Sequence, residues 1–292
     1  MTEFKEKVEV YTVFHDEKSL KKTKYSPHIP LFVGCNNKDN LGYCSDDTGD
    51  NISYKNKDYA ELTGLYWIWK NSDADIIGLT HYRRYFVDEK SGSLLNNENI
   101  NNYLNKYDLI IPKPFIFFRN FYNWYKIWGY DIFLDNYIKP SIEKNFPEYI
   151  ESYEEVLKNH ILYPCSMFIG RKDLMDNYCN WLFTILFDIE EKVLSLGFVD
   201  DFHNHYCDKR ILGFIGESIF NVWIHHNIHN NNLKIKTNYS LVLSGRENLA
   251  VFMSKYHILR KLFYFGSILI EGNIFFFICL VKLCLVKIKL LK

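Results

Sequence analysis

The amino-acid sequence predicts an α/β fold, a mixed sheet of short buried strands flanked by helices. Its 292 residues are 48% hydrophobic, which is enough apolar material for one large core. Short β-branched and aromatic runs alternate with a segment of helical periodicity, and strand-helix-strand alternation is typical of such sheets. Ligands of open α/β sheets bind beyond the carboxyl ends of the strands. The residues that follow each predicted strand are therefore the first candidates for a site.

Four segments show the apolar pattern of short buried strands. Residues 8–14 (VEVYTVF) lead into His15 and Asp16 and then into a lysine-rich loop. The same pattern recurs at residues 29–34, 75–80 and 108–111, and the last of these runs into Pro112. We predict four strands of one sheet from these segments.

Three segments show helical periodicity. The first, residues 58–70, lies between two of the predicted strands, and Asn56 is its expected cap. Residues 171–196 carry a long apolar stripe that predicts a core helix. Residues 216–226 predict a third helix, with Glu217 in its first turn.

The chain divides in character near residue 250, so we expect a folded domain over 1–250 and an amphipathic helical tail over 251–292. The tail holds two apolar blocks of eight residues, 263–270 and 274–281, followed by interspersed lysines. Each block is shorter than the roughly 20 residues that span a bilayer. We interpret the tail as a segment that lies in the membrane interface. The alternative is a terminal helical hairpin docked on the domain.

Composition and motifs exclude several classes of function. Lys+Arg and Asp+Glu are balanced at 35 each, so no overall positive field would attract nucleic acid. The first ten residues mix both charges and do not resemble a secretion signal, and seven scattered cysteines suit a reducing compartment. We therefore expect a cytoplasmic protein. Phosphate-binding P-loop, dinucleotide-binding and serine-hydrolase motifs are absent from the sequence.

The strongest chemical motif is Thr80-His81-Tyr82-Arg83-Arg84-Tyr85, at the end of a predicted strand. Two guanidinium groups at a strand terminus suit a diphosphate, because arginine grips phosphate oxygens at two points and keeps a permanent charge. That charge would offset the negative charge on a departing nucleoside diphosphate. The alternative is structural, with one arginine paired to a carboxylate such as Glu61.

Two further segments are candidates for the site. The loop at residues 46–51 is dense in carboxylates and amides, so Asp47, Asp50 and Asn51 suit ribose hydroxyls or a divalent cation, although such residues are also ordinary in turns. Glu217, in the segment Gly213-Phe214-Ile215-Gly216-Glu217, suits a base that takes a proton from a hydroxyl. An acid in a first helical turn is equally explained by the helix dipole.

Several of these segments also resemble a known bacterial family. Residues 47–53 (DTGDNIS), 61–71 (ELTGLYWIWKN) and 81–86 (HYRRYF) are similar to DUF4422, a family found in capsule and O-antigen gene clusters. Residues 166–169 and 213–223 also resemble it. The resemblance implies a GT-A-like catalytic domain that transfers galactose or galactofuranose from a UDP-sugar to a lipid-linked glycan.

The chemistry of the candidate residues suggests their roles in such a transfer by direct displacement. Arg83 and Arg84 would stabilise the leaving diphosphate and Glu217 would act as base. The donor would be held by His15, Asp47, Asp50, Asn51, Glu61, His81 and Tyr82. Many transferases of this fold hold a metal with Asp-x-Asp, whereas His81-Tyr82-Arg83 stands at the similar place here. No metal is therefore expected to be required, with manganese or magnesium as the alternative.

Two other functions remain open at this stage. A sugar-phosphate transferase of capsule synthesis would use the same donors but release a nucleoside monophosphate. A non-catalytic glycan-binding subunit of the assembly complex would keep an aromatic surface and the tail without turning over a donor. The partners expected in every case are glycan and the inner face of the plasma membrane.

Overall fold

The structure is a computed structural model that describes residues 6–24, 26–36, 38–127, 130–196 and 210–242. Over these ranges the chain forms a mixed α/β fold, a sheet with helices packed against it, as the sequence predicts. The predicted tail at 251–292 and the boundary near residue 250 lie outside the described residues.

Eight strands form the main sheet and two form a small separate one. In chain order the strands are β1 Val8–Phe14, β2 Ile29–Phe32, β3 Cys44–Ser45, β4 Ile76–His81, β5 Arg84–Val87, β6 Leu109–Pro112, β7 Phe115–Ile116, β8 Ile161–Leu162, β9 Phe168–Arg171 and β10 Ile235–Val242. The main sheet has the order β3-β2-β1-β4-β5-β10-β6-β9, and β9 also pairs with β4. The small sheet pairs β7 with β8.

Parallel and antiparallel pairs are both present in the main sheet. Strand β1 lies between β2 and β4 and is parallel to both, whereas β4 pairs antiparallel with β5 and β9. All six residues of β4 are buried. The four strands predicted from the sequence are confirmed as β1, β2, β4 and β6, with small shifts at the ends of β2, β4 and β6.

Ten helices are described, together with short 3₁₀ and π-helical turns. They are α1 Glu17–Thr23, α2 Asn56–Tyr59, α3 Leu62–Asn71, α4 Asn97–Leu104, α5 Phe121–Ile127, α6 Asp131–Phe133, α7 Lys139–Asn145, α8 Ile150–Lys158, α9 Lys172–Ser195 and α10 Ile211–Asn230. The long helix predicted at 171–196 is confirmed as α9. Among the described helices, none is both long enough and apolar enough to cross a membrane.

The single helix predicted at 58–70 is wrong, because the chain breaks it into α2 and α3. The break is at Ala60, which has φ 50° and ψ −127°, outside the helical region. Asn56 does not cap a helix from outside as predicted but opens α2, and its side-chain amide donates to the Ala60 carbonyl (2.7 Å) and to Thr63 Oγ1 (2.9 Å). These bonds hold the break, which places Glu61 at the start of α3.

The helix predicted from residue 216 begins five residues earlier, at Ile211, so Glu217 lies in the second turn of α10. The helix-dipole explanation for Glu217 therefore fails, since the dipole acts mainly within the first turn. Gly216 lies inside the helix, where a Cβ atom would come 2.5 Å from Leu62 Cδ1. The glycine thus allows α10 to pack closely against α3, and this contact brings Glu217 towards Glu61.

Candidate functional site

A cavity of about 550 Å³ opens at the carboxyl ends of β1, β2 and β4. Its other walls come from the end of α2, the first two turns of α10 and the loop before β9. Its size falls within the range of small-molecule sites. The lining residues are Val13, Phe14, His15, Val33, Asn56, Lys57, Ala60, Glu61, His81, Tyr82, Arg83, Arg84, Cys165, Arg210, Gly213, Phe214 and Glu217.

The position of this cavity follows from the topology of the sheet. The chain leaves β1 to form β2 on one side and later forms β4 on the other side of β1. Open α/β sheets bind their ligands at such a change of direction, because the loops after neighbouring strands separate and leave a crevice. His15 and Tyr82 directly follow β1 and β4 there.

The arginine motif forms a tight turn at the rim of the cavity. His81 ends β4 and pairs with Arg84, which begins β5, so Tyr82 and Arg83 form a two-residue connection. The Tyr85 side chain holds this turn in place, because its hydroxyl donates to the Tyr82 carbonyl and to the Lys22 carbonyl. Arg83 is exposed and Arg84 is half-buried, and both line the cavity.

Fixed positive charge predominates in the cavity lining. Four permanently charged cations contribute, Lys57, Arg83, Arg84 and Arg210, against the two carboxyl groups of Glu61 and Glu217. Arg210 directly precedes the first residue of α10, and its guanidinium lies 6.0 Å from the centre of the Phe214 ring. A cleft with this balance favours an anionic ligand, and guanidinium groups suit phosphate oxygens in particular.

Glu217 is held by a short chain of hydrogen bonds that runs to His81. The Cys165 N–H donates to Glu217 Oε1 (2.6 Å), and the carbonyl of the same residue bonds to His81 Nε2 (2.8 Å). A carbonyl only accepts, so Nε2 carries the proton of the imidazole. Cys165 and Ser166 have φ of 70° and 47°, a left-handed backbone that is rare for residues other than glycine. Strained backbone of this kind is typical of functional sites.

Burial favours the neutral form of all three titratable groups in this cluster, Glu61, His81 and Glu217. Burial raises the pKa of Glu217, and nearby Glu61 raises it further, while the Cys165 N–H, Arg84 and His81 partly oppose the shift. Burial also raises the pKa of Glu61, against the attraction of Arg210 and Arg84. The pKa of His81 falls to about 4, chiefly through burial and then through Arg84. His81 is therefore neutral at pH 7, and Glu217 is a stronger base than an ordinary glutamate.

Comparison with protein families assigns this chain to a known sequence family. The family described as "Domain of unknown function (DUF4422)" matches residues 9–229, more than half of the chain. The chain belongs to this family. The resemblance seen in residues 47–53, 61–71 and 81–86 is thereby confirmed at the level of the family, and its galactosyl specificity stays a prediction.

A solved structure extends the comparison to three dimensions. The DUF4422 chain is similar to the apo structure of the bifunctional glycosyltransferase WbbM, with a TM-score of 0.67 and 29% sequence identity. The match covers 82% of this chain and 46% of the WbbM chain, so this protein corresponds to less than half of that enzyme. Among curated proteins, none matches the sequence.

Seven of the ten predicted site residues line the cavity of this DUF4422 protein: His15, Glu61, His81, Tyr82, Arg83, Arg84 and Glu217. His15 is half-exposed, and its ring meets the Tyr82 ring edge-on at 5.3 Å between centres. Burial and the positive charges of Arg210 and Arg83 lower the pKa of His15, against the opposing effect of Asp16. The structure thus gathers these residues in one place, while their individual roles stay predictions.

The other three predicted residues, Asp47, Asp50 and Asn51, do not line the cavity. Their loop is built around buried Asp46, which accepts from the Gly34 N–H (2.9 Å) and from the hydroxyl groups of Ser53 and Thr63 (2.6 Å each). Asp50 and Asn51 bond within the loop and to α3. These contacts account for the polar composition of the loop, and donor binding by the three residues stays a prediction.

Sequence reasoning missed Lys57, Cys165 and Arg210, which line the cavity, and it named Phe214, which also lines it, only as part of the segment around Glu217. Arg210 directly precedes α10, and a helix predicted from Gly216 left it in an unassigned loop. Cys165 contributes through its backbone, which no residue pattern indicates. Within the described ranges, no three His, Cys, Asp or Glu side chains come together as metal ligands.

Proposed function

We propose that this protein is a GT-A-like glycosyltransferase that moves a sugar from a UDP-sugar to a lipid-linked glycan in the synthesis of capsule or O-antigen. The observation that carries this proposal is the cavity at the strand ends, which arginines line together with the half-buried Glu61 and Glu217. The similarity to WbbM supports the reaction class. Galactose or galactofuranose is the proposed sugar, on the family resemblance.

The proposed reaction is a direct displacement at the anomeric carbon of the donor. The acceptor hydroxyl oxygen forms the new bond to this carbon as the bond to the diphosphate breaks, and Glu217 takes the hydroxyl proton. Arg83 and Arg84 stabilise the negative charge that develops on the departing UDP. His15, Glu61, His81 and Tyr82 line the space for the donor.

Metal independence is part of the proposal. Tyr82 and Arg83 follow β4 where an Asp-x-Asp transferase would present carboxylates, and guanidinium groups can supply the positive charge that a bound cation would otherwise provide. A divalent cation held together with the donor phosphates is the alternative. We also propose that the tail at 251–292 holds the protein on the inner face of the plasma membrane.

The decisive experiment incubates the purified chain with a panel of UDP-sugars and candidate acceptors, with and without EDTA, and identifies the released nucleotide. Release of UDP that requires an acceptor supports the proposal. Release of UMP would indicate sugar-phosphate transfer, and no turnover with any donor would favour a glycan-binding subunit. Loss of activity in EDTA, restored by manganese or magnesium, would overturn metal independence.

Arg83→Ala should lower kcat/KM at least about tenfold, which corresponds to about 1.4 kcal/mol of transition-state stabilisation. Arg83 is exposed at the rim, so its removal should leave the fold intact. Steady-state kinetics with the best donor would measure the change, with Lys21→Ala on α1 as an exposed cation outside the cavity. Unchanged kinetics in Arg83→Ala would remove this residue from the mechanism.

The rate of transfer should fall as the pH is lowered, and the midpoint of this fall should lie at a higher pH than for a base with the pKa of an ordinary glutamate. The base acts only when it is ionised, and burial raises the pKa of Glu217 above its usual value of 4.5. Activity is therefore lost as the pH falls through that raised pKa. The pH dependence of kcat/KM measures the midpoint, and a midpoint at or below 4.5 would contradict the assignment.

A further inference from the structure

The small sheet of β7 and β8 presents an apolar surface to solvent. Phe118 is 93% exposed, Ile116 70% and Ile161 39%. Phe118 is the most exposed of the large hydrophobic residues in the described part of the chain. Soluble proteins expose single apolar side chains commonly, but neighbouring ones on a projecting element indicate an interaction surface.

Backbone pairing, hydrogen bonds and ring stacking hold the residues around this surface in place. Ile116 pairs with Ile161 across the two strands, and the Phe117 N–H donates to the His160 carbonyl (2.8 Å). His160 Nδ1 in turn bonds to the Phe117 carbonyl (3.0 Å), and the Phe117 ring stacks on Trp124 at 4.7 Å between centres. Phe117 thus points inward, while Ile116 and Phe118 point outward. The exposed side chains therefore belong to an ordered two-stranded sheet, whose strands are joined through the helices α5 to α8.

Cations are the charged residues nearest to the exposed apolar side chains along the chain. Arg119, Lys126 and Lys158 are exposed, and the sequence from 109 to 130 and from 156 to 164 contains no Asp or Glu. The Asn159 carbonyl accepts from the Phe121 N–H (2.8 Å), so the backbone segments that carry Lys158 and Arg119 are joined here. Carboxylates lie farther along both segments: Glu154 pairs with Lys139 (2.8 Å) and acts electrostatically with Lys158, and Asp135 accepts from the Tyr122 hydroxyl.

We propose that the β7–β8 sheet docks on an anionic bilayer surface, with Phe118, Ile116 and Ile161 entering the interface and the neighbouring cations contacting acidic headgroups. Apolar side chains flanked by lysine and arginine have the chemistry of peripheral membrane contacts. Three large side chains offer far less than the roughly 800 Å² per partner that stable protein interfaces bury. A bilayer needs no such matched area.

The β7–β8 sheet is close to the candidate active site along the chain. Ile161 precedes Cys165 of the cavity wall by four residues, a span of at most about 14 Å. A bilayer at this sheet would thus lie near the cavity, as a lipid-linked acceptor requires. This last link rests on the proposed function, whereas binding to vesicles is measured without any transfer reaction.

The test uses the full chain and two kinds of vesicle, phosphatidylcholine alone and phosphatidylcholine with phosphatidylglycerol. We expect hydrogen exchange at residues 113–122 and 158–163 to slow only with the anionic vesicles, and the protection to weaken at high salt. The double variant Ile116→Ser/Phe118→Ser should lose at least about tenfold in vesicle partitioning, since both side chains leave the interface. Tyr54→Ser, at another exposed aromatic residue, is the matched control.

Two results would overturn the inference. Protection confined to residues 251–292, with unchanged partitioning of the double variant, would assign membrane contact to the tail alone. Protection of the β7–β8 sheet that grows with protein concentration in the absence of vesicles would show that a second copy of the chain covers it. Transfer to a water-soluble acceptor should be unaffected in the double variant, so a failure of the proposed chemistry and a failure of docking are distinguishable.

Discussion

Glu217→Gln lowers kcat/KM by about 10²- to 10⁴-fold, the loss expected when a general base is removed. The amide cannot accept the acceptor proton, but its oxygen can still accept from the Cys165 N–H, as Glu217 Oε1 does at 2.6 Å. The geometry around the residue is therefore preserved while its basicity is lost. Steady-state transfer kinetics with the best UDP-sugar measure the effect, and Glu151→Gln on the exposed side of α8 is the matched control.

Thermal unfolding separates this loss from a structural one. Folding raises the pKa of Glu217, so the stability it contributes is complete below its ordinary pKa and is lost as the pH rises through the raised value. Glutamine does not ionise and does not suffer this loss. Glu217→Gln should therefore unfold at the same or a higher temperature than the wild type above that range. A lower Tm together with the slower rate would point to a structural residue.

The strands and the arginine motif could be predicted because their signals are local. Residues 8–14 and 75–80 are predominantly apolar, and they form the largely buried β1 and the fully buried β4. Because β1 and β4 are parallel neighbours, the residues that follow them lie at the same edge of the sheet. His15 and Arg83 were accordingly expected near a ligand, and both line the cavity.

Other features of the site could not be predicted, because they depend on side-chain contacts and on bonds between distant parts of the chain. The Cys165 N–H and carbonyl join Glu217 to His81 across separations of 52 and 84 residues, through a left-handed turn without glycine. Helical periodicity likewise runs unbroken through Ala60, where the Asn56 side chain stabilises the break between α2 and α3. Periodicity reports which face is apolar and gives no sign of a local break that polar side chains hold.

The composition of the acidic loop has a structural explanation beside the functional one. Asp46 to Asn51 has the residues of a cation or ribose site, but Asp46 is fully buried and accepts bonds from two hydroxyl groups and two backbone N–H groups. Short carboxylates fold loops by the same hydrogen bonds with which they bind ligands. A sequence does not distinguish the two uses. The structure shows the bonds within the loop, and ligand binding by Asp47, Asp50 and Asn51 stays a prediction.

Arg84→Ala lowers kcat by about 10²- to 10³-fold, the cost of removing one donor that stabilises developing negative charge. Arg84 lies deeper than Arg83 and acts electrostatically on Glu61, His81 and Glu217. Steady-state kinetics measure the loss, and calorimetry should show weaker UDP binding. Arg84→Lys keeps the charge but lacks the planar fork of donors, so we expect it to recover part of the rate.

The pH dependence of the Arg84 variants separates leaving-group stabilisation from a merely structural role. The positive charge of Arg84 favours the ionised form of Glu217, so its removal raises the pKa of Glu217 further and moves the acid limb of kcat/KM to higher pH. Arg84→Lys should keep the limb near its wild-type position, because the charge is retained. A slow Arg84→Ala variant with an unmoved limb and unchanged UDP affinity would place the arginine outside the reaction centre. A shifted limb with weakened UDP binding would show that the Arg84 guanidinium acts on both the base and the departing diphosphate.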